Sequence, residues 1–411
     1  MTDYVKHLPT AAIPEGAPVA AWGVDHARHW LRAGRVPTVF APGAGGRLLV
    51  VPAVLALLLT DRHGEDWRSL AAGFLLAALP FWFRYLPAAT LLAATALAAD
   101  AALTLAGTSD TAGRIGPVLV LALAAWAFTG ALLRLRARRR QRELALAAAG
   151  SARFPLPATL PPAHLRRGLP GIGLGSVCCL GSVCCLAADA ARTHPYGPFG
   201  GRLLATVLLV AGTTLLGRGL ARWRAARRLR ARPQPVLLVG VRASVSGHHW
   251  LYPDADSPAG QPLIAHLPRV RDTVLGKRVL VAGSARALRT NHHDVGPYAE
   301  PFQAVLYGAV HEGAEIVLEC AVYESDVRVV PEVTAAPLLP RRRHGLSHWM
   351  PAGTSHREAV RERTRLDEER RRERARERAE SKGSDSSSSS GDGGGCGGGC
   401  GSGCGGCGGC G

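Results

Sequence analysis

Long apolar runs, followed by short β-branched runs, divide the chain into two parts with different periodicities. Four apolar runs reach the length of about 20 residues that a helix needs to cross a hydrocarbon core of about 30 Å. They cover residues 86–106, 115–133, 169–188 and 201–220. Two shorter runs, 48–60 and 70–83, form either two further spans or a hairpin that dips into the bilayer. The pattern predicts six spans, with four as the alternative.

After residue 235 the apolar residues come in short runs rich in Val, Ile and Leu and separated by Gly, Pro and Asp, which is typical of β-strands. The runs are residues 236–241, 263–267, 278–282, 304–307, 315–321 and 327–330. Strands this closely spaced predict a small all-β domain, either an antiparallel barrel or a sandwich, attached directly to the membrane part.

Two arginine blocks determine the expected orientation. They comprise Arg134, Arg136, Arg138, Arg139, Arg140 and Arg142, and then Arg218, Arg222, Arg224, Arg227, Arg228, Arg230 and Arg232. Neither block contains an acidic residue, and such segments beside a span stay on the cytoplasmic side. We therefore expect a multi-pass protein of the cell membrane, with N- and C-termini and the β domain in the cytoplasm.

The same arginines supply much of the formal net charge of +18. Because topology accounts for them, nucleic-acid binding is not favoured, whereas attraction of the arginine blocks to anionic lipid headgroups is expected. Ahead of the spans, residues 20–34 place Val24, Ala27, Trp30 and Leu31 on one helical face. This helix either lies on the cytoplasmic membrane surface or packs against the protein's own soluble part.

Two features within the spans invite a functional interpretation. Asp100 is an acid in an apolar run, as in proton or cation relays. It lies only about 9 Å from the end of its helix and has no second membrane acid as a relay partner, so transport is not favoured. A tandem repeat at residues 174–185 carries Cys178, Cys179, Cys184 and Cys185. These thiols do not converge on one metal, and we interpret them as small residues in a helix–helix contact.

Candidate metal ligands occur in the β domain and in the tail. His292, His293 and Asp294 lie between predicted strands, as does the pair His248-His249, and these side chains could converge on Zn or Mn. Adjacent histidines in loops are more often solvated than ligating. The sequence contains no catalytic motif such as H-E-x-x-H or G-x-S-x-G.

The tail is a Gly/Ser segment that cannot fold alone. Its cysteines are Cys396, Cys400, Cys404, Cys407 and Cys410. Thiolates at this spacing could wrap around Zn or Cu(I), but an odd count without a surrounding fold favours a low-complexity tail. The Ala/Leu/Arg/Gly bias and this Gly/Cys-rich tail resemble uncharacterised actinobacterial multi-pass membrane proteins. The resemblance implies the general architecture and transfers no catalytic residue.

The sequence thus predicts an α-helical integral membrane protein with a small cytosolic all-β domain and a disordered C-terminal tail. The expected segments are a cytosolic N-terminal segment (1–46), a transmembrane domain (47–220), a basic juxtamembrane segment (221–235), the β domain (236–340), a charged linker or helix (341–382) and the tail (383–411).

We expect a non-enzymatic membrane scaffold or interaction protein without a cofactor, which presents the β domain to a protein partner of unknown identity. One alternative is a membrane-anchored metal-binding protein or metalloenzyme that uses the β-domain histidines or the tail cysteines. The other is a small-solute or proton transporter.

Overall fold

The computed structural model describes eleven stretches of the chain, which form two compact units, residues 1–357 and residues 358–411. The described stretches are residues 7–16, 18–60, 67–160, 162–191, 198–243, 249–255, 262–267, 277–279, 301–324, 328–340 and 364–377. In the second unit, residues 364–377 form an exposed helix within the segment predicted to be a charged linker or helix. Its Arg365 and Glu369 lie 3.4 Å apart, one helical turn from each other.

Six long helices make up the membrane part described in the first unit. They are α2 (Pro42–Leu59), α3 (Trp67–Tyr85), α4 (Pro87–Gly107), α5 (Thr111–Ala148), α7 (Leu169–Ala190) and α8 (Pro198–Ala231); the shorter helices are α1 (Val24–Ala33) and α6 (Pro162–Leu165). Of the helices described, five are long and apolar enough to cross a membrane, and α3, which carries Arg68 and Arg84 near its ends, is not among them. The structure thus has long apolar helices that could span a membrane and an antiparallel sheet, which agrees with the predicted fold class at this level; the number of spans stays a prediction.

Helices α2 to α5 form an antiparallel bundle. Arg68 at the start of α3 lies 3.7 Å from Asp100 near the end of α4, which fixes their opposite directions. The bundle core combines a few large side chains, among them Leu76 and Phe83, with many alanines. Small residues let helix backbones approach closely, which is how helices associate where lipid has removed the hydrophobic driving force between them.

Helices α7 and α8 form a separate hairpin whose backbones almost touch. A Cβ atom added at Gly175 of α7 would lie 2.5 Å from the Leu216 nitrogen and 2.8 Å from the Gly212 oxygen of α8. The hairpin meets the bundle where the Leu86 side chain lies against Gly217. The interpretation of the cysteine repeat as part of a helix–helix contact is confirmed for Cys179, whose Sγ atom would lie 2.7 Å from a Cβ atom at Gly212.

Two of the long helices are much longer than a membrane span requires. With 38 and 34 residues, α5 and α8 are about 57 and 51 Å long, against a hydrocarbon core of about 30 Å. Their final turns carry the buried residues Ala145 on α5 and Ala226 and Leu229 on α8. Ala145 belongs to the same core cluster as the strands, so the long helices reach the β domain and pack against it.

The β domain is an antiparallel half-barrel with one parallel addition. Its strands are β1 (Ala20–Ala21), β2 (Val236–Ala243), β3 (His249–Tyr252), β4 (Ile264–His266), β5 (Lys277–Val279), β6 (Phe302–Tyr307), β7 (Glu315–Glu324) and β8 (Arg328–Pro337). The spatial order is β4-β3-β2-β6-β7-β5, with β8 also on β7 and β1 parallel to β2. An isolated bridge joins His266 to Leu338, so the sheet curls toward closure.

Each of the six predicted strand segments overlaps a strand, but strands β1 and β3 were missed. The sequence analysis placed His249 in a loop, and this is wrong: it pairs with Ala243 of β2 and with His266 of β4. The N-terminal helix α1 packs on the protein itself, with Ala27 and Trp30 in the core of the sheet. The Trp30 indole donates a hydrogen bond of 2.9 Å to the Val310 carbonyl. Of the two alternatives for this helix, packing against the protein's own soluble part is therefore confirmed, and the membrane-surface alternative is wrong.

Candidate functional site

Charged side chains join the membrane helices to the sheet at two places, which we call together the arginine–carboxylate joint. One place consists of Arg134 and Arg138 of α5 with Glu312, and the other consists of Arg167, just after α6, with Glu315 at the start of β7. Glu312 lies in the short β6–β7 connection, and Glu315 is the first residue of β7. The joint is thus formed by one turn of the sheet and two separate helical segments.

Glu312 is held by two arginines of the same helical face. Its Oε1 atom accepts from Arg138 at 2.9 Å and from Arg134 at 3.5 Å, because residues four apart on α5 lie one above the other. The Glu312 backbone N–H donates to the Gln141 side chain at 3.3 Å. The turn is made by Gly313 with a φ of +80°, which favours glycine. Burial raises the pKa of Glu312, but the charges of Arg138 and Arg134 outweigh it and hold the pKa below its usual range.

Arg134 connects this cluster to the helical bundle. Its side chain is 1% exposed, donates to the Phe83 carbonyl at the end of α3 and lies over the Phe83 ring at 5.4 Å. A buried guanidinium needs a carboxylate and several hydrogen-bond acceptors to offset its lost hydration. Glu312 and the α3 carbonyl supply these, so the last turn of α3, α5 and the sheet meet at one side chain.

The second ion pair is the more deeply buried one. The Arg167 Nε atom lies 3.1 Å from the Glu315 Oε1 atom, with side chains 7% and 2% exposed. His164 on α6 is also buried, and neither of its ring nitrogens has a hydrogen-bond partner among the described residues. Burial, with help from the nearby charges of Arg230 and Arg167, lowers the pKa of His164 to about 4. This histidine is therefore neutral at physiological pH.

His311 is a second neutral histidine, directly beside Glu312. Burial lowers the pKa of His311 to about 4, although the hydrogen bond from its ring to the Ala309 carbonyl at 2.9 Å works in the opposite direction. The positive charges of Arg138 and Arg142 lower the pKa further. The joint thus combines the Glu312 carboxylate, which two arginines hold ionised, with uncharged imidazoles at His164 and His311. Such an arrangement holds elements together and suits structural coupling.

The candidate metal ligands from the sequence lie elsewhere. His292, His293 and Asp294 lie outside the described residues, and so do all five tail cysteines. Among the described residues, no group of three or more His, Cys, Asp or Glu side chains could hold a metal ion. His249 and His266 do meet, with ring centroids 5.3 Å apart, but as a cross-strand pair within the sheet.

The other membrane candidates have structural contacts. Asp100 forms an ion pair with Arg68 across two helices of the bundle, which accounts for an acid in this apolar segment. In the sheet, Cys320 is buried in β7, and burial raises the pKa of its thiol to about 12. This sulfur is therefore an unreactive thiol in the core.

Sequence reasoning missed the joint, because it assigned all thirteen block arginines to membrane topology. The available signal was the turn His311-Glu312-Gly313, an acidic residue in a tight connection beside an otherwise basic surface. Comparison with known proteins adds no assignment: the chain matches no protein-family model, no curated protein sequence and no solved structure.

Proposed function

We propose that the protein is a membrane scaffold or interaction protein that holds its β domain at the cytoplasmic face of the cell membrane and presents it to a protein partner. The observation that carries this proposal is the arginine–carboxylate joint, because it ties the sheet to α5, to α3 and to the segment before α7. A sheet fixed in this way offers a partner one surface in one orientation, and less freedom is lost when the partner binds.

The arginines of the two blocks do not all have the same role. Arg134 and Arg138 belong to the joint, whereas nine of the other eleven are exposed. The exposed ones are Arg136, Arg139, Arg140, Arg142, Arg224, Arg227, Arg228, Arg230 and Arg232. Their charge supports the cytoplasmic orientation and contact with anionic lipid headgroups at the membrane surface.

Reporter fusions test the orientation. A green-fluorescent reporter fused after Lys382 is expected to fluoresce, and an alkaline phosphatase at the same point is expected to stay inactive, because phosphatase folds only outside the cytoplasm. The matched control places the same reporters after Asp110, between α4 and α5, where the opposite results are expected. An active phosphatase after Lys382 reverses the proposed topology and removes the sheet from the cytoplasm.

A pair of glutamate variants tests whether the joint holds the sheet. Glu312→Gln removes the charge that two arginines share, whereas Glu143→Gln removes a charge from the exposed pair with Arg139, 3.0 Å apart on the same helix. We expect hydrogen exchange in residues 309–317 to accelerate at least about tenfold in Glu312→Gln and to stay unchanged in Glu143→Gln. Equal exchange in both variants contradicts a holding role for the joint.

A further inference from the structure

A groove of about 700 Å³ separates the hairpin from the bundle within the membrane part. Its walls are α3 and the end of α2 on one side and α8 on the other, and its lining is almost entirely apolar. It begins near Ser69 and Arg202, at the end of the helices farthest from the sheet, and continues to Phe81 and Leu215. This volume falls within the range of ligand-binding pockets in proteins.

The groove opens onto the apolar outer surface of the long helices. Leu58, Phe81, Leu203 and Val207 contribute to its walls and are also among the exposed large apolar residues of the structure. In a bilayer, water does not fill such a space, and the molecules that reach it are lipids. From Arg202 to Leu215 the wall of α8 rises about 20 Å, more than the roughly 15 Å of one leaflet, so it accommodates an acyl chain.

One end of the groove has the chemistry of a phosphate contact. The Arg202 Nε atom donates to Asp189 at 2.9 Å, which orients the guanidinium, and the side chain is 29% exposed. Arginine has five N–H donors in a planar fork, so one bond to a carboxylate oxygen leaves it able to bind an oxyanion. Ser69 and Thr206 add hydroxyl groups to the lining near the same end.

We propose that this groove is a binding site for one phospholipid, with its phosphate group on Arg202 and one acyl chain between α3 and α8. The occupant is a membrane lipid because the groove is continuous with the lipid-facing surface. The site is separate from the arginine–carboxylate joint, at the opposite end of the bundle, and does not depend on the function proposed for the sheet.

A matched pair of glycine variants tests occupancy of the groove. Gly73 lines it, and a Cβ atom there would meet only Leu57 Cδ2, at an ordinary 3.8 Å, so Gly73→Leu fills space without a backbone clash. Gly173→Leu adds the same side chain on the exposed face of α7, where nothing lies within 4 Å. We expect the full chain purified in mild detergent to retain about one phospholipid, measured as phosphorus per protein and by native mass spectrometry.

Gly73→Leu is expected to reduce retained phospholipid at least about tenfold, and Gly173→Leu is expected to retain as much as the unaltered chain. Ala211→Phe fills the groove from the opposite wall and replaces Gly73→Leu if that variant does not fold. Retention that is equal in the groove-filling and control variants overturns the proposal, and so does an unaltered chain that retains no phospholipid.

The contact to phosphate has its own pair of variants. Arg202→Gln and Asp189→Asn both break the same ion pair, but only the first removes the guanidinium. We expect Arg202→Gln to weaken binding of added phosphatidylglycerol about tenfold or more, without affecting binding of diacylglycerol, which lacks the phosphate. Asp189→Asn is expected to bind phosphatidylglycerol at least as well as the unaltered chain. Equal losses in both variants overturn the phosphate contact.

Discussion

The sheet buries its large apolar residues, whereas the membrane helices expose many of theirs and bury many small residues. In the sheet, large apolar side chains such as Leu251 and Phe302 are fully buried. In the helices, Leu92 is 74% exposed, while the buried positions include many small residues, such as Ala53 and Ala56. This is the difference expected between a part in water and a part in lipid. Water drives large apolar groups into a core, whereas in hydrocarbon they can face outward and close backbone packing stabilises the helices instead.

Truncating one large apolar residue in each part tests this comparison most strongly. Phe302→Ala leaves a cavity in a fully buried site and is expected to cost about 3–5 kcal/mol of stability. Leu92→Ala on the exposed face of α4 is expected to change stability by less than about 0.5 kcal/mol in a bilayer-like environment. Thermal unfolding in nanodiscs measures the change in stability of each variant. Equal losses contradict a lipid-facing role for the helix surface.

The connection between the two parts depends on charge, and Glu315→Gln tests it. The substitution leaves Arg167 buried without a carboxylate, which is expected to cost about 3 kcal/mol. In Glu143→Gln, the exposed counterpart, with side chains of the pair 83% and 61% exposed, the expected change is below about 1 kcal/mol. Melting temperatures of the two variants give the comparison. A loss in Glu315→Gln as small as in the control shows that this pair does not hold the parts together.

The sequence predicted the membrane helices and most strands because each carries its own periodic signal. The strand β3 segment His249-Trp250-Leu251-Tyr252 lacks such alternation, since all four of its residues are buried. β1 consists of two alanines, and only its partner strand makes it a strand. These elements depend on tertiary contacts that no local pattern contains.

The site was less predictable than the fold. Arg134 and Arg139 belong to the same arginine block, yet one is buried against Phe83 and the other is exposed. Which arginine of a block turns inward depends on the position of Glu312, 178 residues from Arg134 along the chain. The pattern of charges within the block carries no information about a partner so far away in the sequence.

As the pH falls, the sheet and the joint are expected to lose stability before the membrane helices do. The pKa of His164 and of His311 is lowered to about 4 from 6.5, so the unfolded chain takes up these protons first. Their stabilising contribution is complete above pH 6.5 and is lost as the pH falls from 6.5 to about 4, by roughly 2 kcal/mol for each histidine at pH 5.

Glu312 titrates in a separate window, because its lowered pKa makes it lose its contribution only below pH 4.5. Because the two histidines titrate between pH 7 and 5, the hydrogen-exchange protection of residues 301–324, corrected for the intrinsic effect of pH, should fall over this range, while the protection of α4 should stay constant. His164→Leu should flatten the profile over this range. A stability that stays constant from pH 7 to 5 contradicts neutral burial of both histidines.

The smallest expected effect concerns the close packing of α7 against α8. Gly175→Leu places a Cβ atom 2.5 Å from the Leu216 backbone nitrogen, and because backbone atoms cannot swing aside, the two helices must separate. Overpacking of this kind is expected to cost about 1–3 kcal/mol. Gly173→Leu, two residues away and facing open space, adds the same side chain without this contact. Separation should expose Cys179, which lies against Gly212, so maleimide labelling in a background without the other cysteines should accelerate only in Gly175→Leu. Identical labelling of both variants would show that small residues are not what holds this hairpin, and the contrast with the tightly filled sheet would then rest on the exposed leucines alone.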